Sequence, residues 1–196
     1  RVSIMDGSPA IDHSTHVGGT IGAAGVVASA KGMAPAVAID SYDWLLDQEE
    51  MTARGASYPG ESGRMYLSNH SYGYTCGWKF LSSSTAPNWE WHGDGTDASG
   101  FDYNFGAYVE SCSTLDNLMY GLPYYLVFWA AGNDRNNNPA NGDIVTLTPG
   151  GSHVTYNSTL HPAGDGVYRN GYDTISTDGV AKNALCVGSV LDAVSG

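Results

Sequence analysis

Basic residues are scarce in this chain: 8 Lys and Arg stand against 20 Asp and Glu, a formal charge of −12 at pH 7. Without a basic stripe to neutralise phosphates, neither nucleic acid nor an anionic membrane surface is expected as a partner, and the acidic surface serves solubility. Cysteine is scarce too. Cys76, Cys112 and Cys186 are widely spaced and odd in number, so they spell neither a disulfide framework nor a metal knuckle. No apolar run approaches the roughly 20 residues that a bilayer span requires, and no basic stretch followed by an apolar one marks a leader. The chain opens on Arg1 rather than methionine, from which a longer parent protein is expected.

What is there suits one packed unit: 196 residues, 42% hydrophobic, with 26 glycines. Residues 2–5 read as a strand closed by a turn at Asp6, Gly7, Ser8 and Pro9. Asp12 can cap a helix over residues 13–25, with Val17, Ile21 and Ala24 on one face. Gly18, Gly19 and Gly22 lie inside it. Each costs about 1 kcal/mol against alanine, so this helix should pass extremely close to a neighbour.

Further along, strands are expected over residues 36–42, 64–72, 124–131 and 183–191, and helices over 45–54 and 105–120. Residues 74–101 read as a long surface insertion, and residues 134–182 as polar loops with short hairpin strands at 145–147 and 153–156. Apolar strands alternating with helices predict a three-layer α/β fold with a mostly parallel, doubly wound sheet. Ligands of such sheets collect at the carboxyl ends of the strands, where Gly73 and Asn133 both fall.

Four motifs sharpen this. HSTHVGGTIGAAG at residues 13–25 resembles the histidine motif of the subtilisin-like serine proteases, usually written HGTHVAGTIAA, with Ser14 replacing the usual glycine. FWAAGND at 128–134 resembles the strand of that family that ends in AAGN, and LSNHSYG at 67–73 resembles the one that ends in SLGG or SWG. AKNALCVGSV at 181–190 is similar to the family's AKNVITVGAV, a core strand without a catalytic group. All four stand in the family's order and span nearly the whole chain.

The resemblance implies roles. His13 would be the general base and His16 a structural residue; Asn133 would donate its amide to the oxyanion. The backbone of Ser71, Tyr72 and Gly73 would pair with an extended protein or peptide substrate as an added strand, and Ala130, Ala131 and Gly132 would form the facing wall of the specificity pocket. Read without the resemblance, His13 and His16 are an i, i+3 pair on a helix, open to surface or metal-ligand roles, but no Cys, Glu or further His follows at ligand spacing.

The nucleophile is expected outside the chain, because the family's GTSMA segment follows the VGAV strand and no GTSxA or GxSxG occurs here. Asp6 stands only seven residues before His13, where family aspartates lie tens of residues upstream, so Asp6 is expected to be a hairpin-turn residue. The expectation is therefore an incomplete subtilisin-like domain over residues 1–196, lacking the aspartate strand and the serine helix and inactive alone, from a serine endopeptidase. The alternative is a catalytically dead relative that binds extended peptides. No cofactor is required. Calcium is the candidate ion for the acidic loops 94–102 and 133–143, but neither fits the EF-hand pattern and solvated loops are the expected reading. Family analogy implies a secreted or cell-envelope location.

Overall fold

The computed structural model describes residues 1–6 and 11–189. The expected turn at Gly7, Ser8 and Pro9 and the end of the last expected strand, 190–191, lie outside the described residues. The chain divides into two compact units, one over residues 1–53 and one from Arg54 onward.

The first unit is a β-α-β arrangement, β1 (Val2–Ile4), α1 (Asp12–Gly22) and β2 (Ile39–Ser41), followed by α2 (Asp47–Arg54) at its boundary. β1 and β2 are parallel, with Val2 opposite Ile39 and Ile4 opposite Ser41. The segment after β1 is thus a crossover, which corrects the hairpin reading of Asp6. Its carboxylate accepts the Asp43 N–H at 2.6 Å, just beyond the carboxyl end of β2.

α1 starts one residue before the expected position and ends three earlier. Ser14 Oγ takes the Ile11 N–H at 3.2 Å, so the residue that replaces the family glycine closes the helix start. At the other end, the last turn leaves carbonyls without helical partners. The N–H groups of Gly32, Met33 and Ala34 donate to Ala23, Thr20 and Ile21 at 3.0, 3.0 and 2.7 Å. Of the helix glycines, Gly22 alone has the close neighbour that was expected: a Cβ there would meet Val37 at 2.9 Å and Ile39 at 3.0 Å, whereas Gly18 and Gly19 face open space.

The second unit contains, in chain order, β3 (Leu67–His70), β4 (Trp78–Phe80), β5 (Trp89–Trp91), α3 (Glu110–Gly121), β6 (Leu126–Ala130), β7 (Ile144–Thr146), β8 (His153–Thr155) and β9 (Leu185–Val187). β3, β6 and β9 form a parallel sheet in the order 3-6-9. Val127 and Trp129 are buried on one face of it, while Leu67, Leu185 and Val187 on the other stay 64%, 46% and 46% exposed. α3 packs beside the sheet, its Cys112 thiol on the Thr177 carbonyl at 3.0 Å. Asn183 of the AKN motif clamps the same helix: its N–H reaches Asp116 Oδ1 at 2.7 Å and its amide the Asp116 carbonyl at 3.0 Å.

The expected surface insertion is corrected. β4 and β5 form an antiparallel pair that extends through β7 to β8 as a second, four-stranded sheet. Trp78, Trp91, Val145 and Tyr156 make its core, all 3% exposed or less. A glycine- and serine-rich segment folds here because two tryptophans at alternating positions supply the apolar face. The β7–β8 hairpin appears where it was expected. Taken together the fold is α/β with mostly parallel pairing.

The close packing around α1 yields a paired test. In Gly32→Ala the new methyl would meet the Ala23 nitrogen at 2.4 Å and the Gly19 oxygen at 2.8 Å. We predict a loss of roughly 2 kcal/mol in urea unfolding, while Gly18→Ala, in open space, gains up to about 1 kcal/mol.

Candidate functional site

Register positions the site. β3 and β6 run in parallel with His70 opposite Trp129, so the chain leaves both strands side by side. The His70 imidazole lies flat on the Trp129 indole, centroids 4.6 Å apart and planes 2° from parallel. Both ring nitrogens are used: Nδ1 meets the Tyr72 hydroxyl at 2.7 Å and Nε2 meets Ser68 Oγ at 2.8 Å. The Tyr125 hydroxyl donates to the same Ser68 oxygen at 2.6 Å. Ser71 Oγ accepts from the Asn69 amide, 2.8 Å away. This buried network sets the Tyr72 ring edge-on to Trp129, 5.3 Å between centroids.

Beyond the strand ends lies a cleft of about 340 Å³. Ser71, Tyr72 and Gly73 line one side, and Ala130, Gly132 and Asn133 line another. Six sequence-predicted residues thus surround one space. Ala131 does not line it; its N–H is spent on the Val187 carbonyl at 2.9 Å, tying β6 to β9. Gly132 turns the chain with φ +85°, a conformation other residues rarely adopt, and a Cβ there would press on the Asp134 carboxylate at 3.2 Å. Asn133 follows, exposed, with its side-chain amide in no hydrogen bond among the described residues. His13 belongs to the other unit, exposed in the first turn of α1; His16 is exposed as well, and the Thr20 hydroxyl donates to its carbonyl at 3.0 Å.

The second sheet closes the cleft with Lys79 and Phe80, which sequence reasoning missed. It also missed the anchor beneath them. Asp102 accepts the Gly77 N–H at 2.7 Å, and Asp165 accepts the Trp78 N–H at 3.2 and 2.9 Å through its two oxygens. Both carboxylates are buried, and a side chain on Gly77 would run into that of Asp165. Burial, then repulsion from Asp134 and Asp102, pushes Asp165 up to about 8 despite the Trp78 bond. Burial and Asp102 likewise raise Asp134 to about 6. The Cys76 thiol, pushed up to about 12 by burial and these three carboxylates, stays protonated and is no nucleophile.

Asp102 and Asp134 come from the two loops considered for calcium, and Asp165 lies outside both. Among the described residues, however, no group of three or more His, Cys, Asp or Glu is arranged to hold a metal ion. Among them, too, no helix is long and apolar enough to cross a membrane.

Parallel strands thus end at a cleft with an exposed amide beside a glycine turn. The family model for Peptidase_S8, the Subtilase family, matches residues 6–195, and the chain belongs to that family. No curated protein and no solved structure matches it significantly.

The raised carboxyls make a signed prediction. Folded-state values of about 8 for Asp165 and about 6 for Asp134 lie above the unfolded value of about 4. The native state therefore binds more protons between those limits, and stability present on the acid side is lost as pH rises. The urea midpoint should fall from pH 5 to pH 8, and Asp165→Asn should remove much of that slope; a midpoint that rises equally in both proteins would contradict it.

Proposed function

We propose that this chain is part of a serine endopeptidase that cleaves extended peptide segments by acyl transfer, with His13 as general base and Asn133 in the oxyanion hole. The observation that carries the reading is the cleft at the ends of β3 and β6, where the exposed Asn133 amide stands among Ser71, Tyr72, Gly73, Ala130 and Gly132. An extended substrate adds as a strand along Ser71–Gly73 through main-chain hydrogen bonds, which hold it with little demand on sequence. Ala130 and Gly132 supply the opposite wall. A serine supplied by the rest of the protein attacks the scissile carbonyl. His13 takes its proton and returns it to the leaving amine, worth roughly 10²- to 10⁴-fold.

As the carbonyl oxygen gains charge, the Asn133 Nδ2–H₂ group donates to it together with a backbone N–H. A fixed donor acts on the transition state and not on the flat ground-state carbonyl. Loss of one such donor costs about 10²- to 10³-fold in rate, a magnitude established on a subtilisin itself.

The carboxylate that holds the His13 imidazole in the tautomer accepting the serine proton is, like the serine, supplied by the rest of the protein. The mechanism needs no metal. Without the serine, the segment 1–196 by itself hydrolyses nothing, and the full-length protein acts outside the cytoplasm, in the medium or cell envelope.

Labelling of the full-length protein with a fluorophosphonate probe tests the reading. Wild type should label strongly, His13→Ala should lose nearly all labelling, and Asn133→Ala should slow it by about two orders of magnitude. Absence of labelling in correctly folded wild type would instead favour a peptide-binding relative that does not cut.

A further inference from the structure

The second sheet delivers a charge to the cleft that nothing in the catalytic reading uses. β4 alternates, burying Trp78 against the sheet core and leaving Lys79 exposed at the cleft lining beside Phe80. In a chain with 8 basic and 20 acidic residues, a cation would be expected to find an anion. The Lys79 ammonium makes no ion pair or hydrogen bond among the described residues. Its register partner on β5 is Glu90, an acid in position to compensate it. That carboxylate is already engaged: Oε1 meets His92 Nε2 at 2.8 Å and Oε2 accepts the Gly150 N–H at 3.2 Å.

Asp134 is the acid that also lines the cleft. Its field is shared with Asp102 and Asp165 in the interior, and Lys79 is not among the charges that act on it. Aromatic side chains line the same cleft: Tyr72 is fixed by the His70 network, and Phe80 is held edge-on by Trp89 at 4.9 Å between centroids. Lys79 is the cationic side chain among the cleft's lining residues.

We propose that Lys79 is a specificity-determining residue that reads a side-chain carboxylate, aspartate or glutamate, of the extended peptide bound in this cleft. The proposal rests on the peptide-binding reading of the cleft but not on catalysis. An ammonium on an exposed strand position can be satisfied by a substrate acid at little desolvation cost, in a pair that salt screens. The preference then comes from β4, which lies outside all four sequence motifs.

The test is binding of acetylated, amidated fluorescent peptides to the full-length protein, measured by anisotropy, each peptide carrying Glu, Gln or Lys at one scanned position. Blocking the C-terminus removes the other carboxylate that Lys79 could read. At one position Glu should bind roughly three- to fivefold more tightly than Gln, with the advantage reduced in 0.5 M NaCl. Lys79→Gln should abolish the difference and Lys79→Glu should turn it toward Lys. Equal affinities in wild type, or a Glu preference unchanged in both variants, would overturn the proposal while leaving the protease reading to the fluorophosphonate result. A Lys79-dependent Glu preference without labelling would sustain it and sink the protease reading, and no binding of any peptide would overturn it along with the cleft's assignment.

Discussion

The parallel register of β3 against β6 is the constraint on which the rest of the site depends. A slip of one residue would turn every side chain of β3 to the other face. It is held by the stack of His70 on Trp129, whose two ring nitrogens are saturated by Tyr72 and Ser68. A neutral imidazole with one donor and one acceptor suits two hydroxyl partners, each able to give or take a hydrogen. With that pair in place, the glycine turn after Ala131 and the Ser71–Gly73 segment emerge next to each other, and the cleft follows from the geometry of the strand ends.

A second device joins the insertion to this frame. Carboxylates are almost never buried unpaired, yet Asp102 and Asp165 are, with backbone N–H groups as partners and no cation among the charges that shift Asp165. Their reward is positional: they grip Gly77 and Trp78, the two residues that lead into β4, and so fix where Lys79 and Phe80 stand. A proton on Asp165 through much of the neutral range relieves the repulsion that three neighbouring acids would otherwise impose. Cleft shape and acid-side stability are therefore two readings of one cluster.

How much of this was legible in the sequence depended on the range of the interactions. The β6 strand, the β7–β8 hairpin and the family motifs are local, written in consecutive apolar runs, turn residues and short signatures. Six of the eight residues assigned to the site by resemblance line one cleft. Ala131 was misplaced because strand alternation turned it to β9, and His13 lies in the other compact unit. The insertion was missed because β4 and β5 are only three residues long and their partner β7 comes more than fifty residues later, amid Gly, Ser and Asp. Trp78 and Trp91, each next to a residue of opposite character, were the available signal. The hairpin expected at Asp6 is replaced by a crossover, since a parallel pairing with β2, more than thirty residues on, leaves no local trace in the sequence.

The central claim is that the ends of β3 and β6 bind an extended peptide as an added strand. Hydrogen exchange of the full-length protein, with and without a saturating peptide, tests it most directly. Slowed exchange at Ser71, Tyr72 and Gly73, with a matching change at Gly132 and Asn133, is the predicted result. Exchange unchanged at these five residues while the peptide is bound would contradict it.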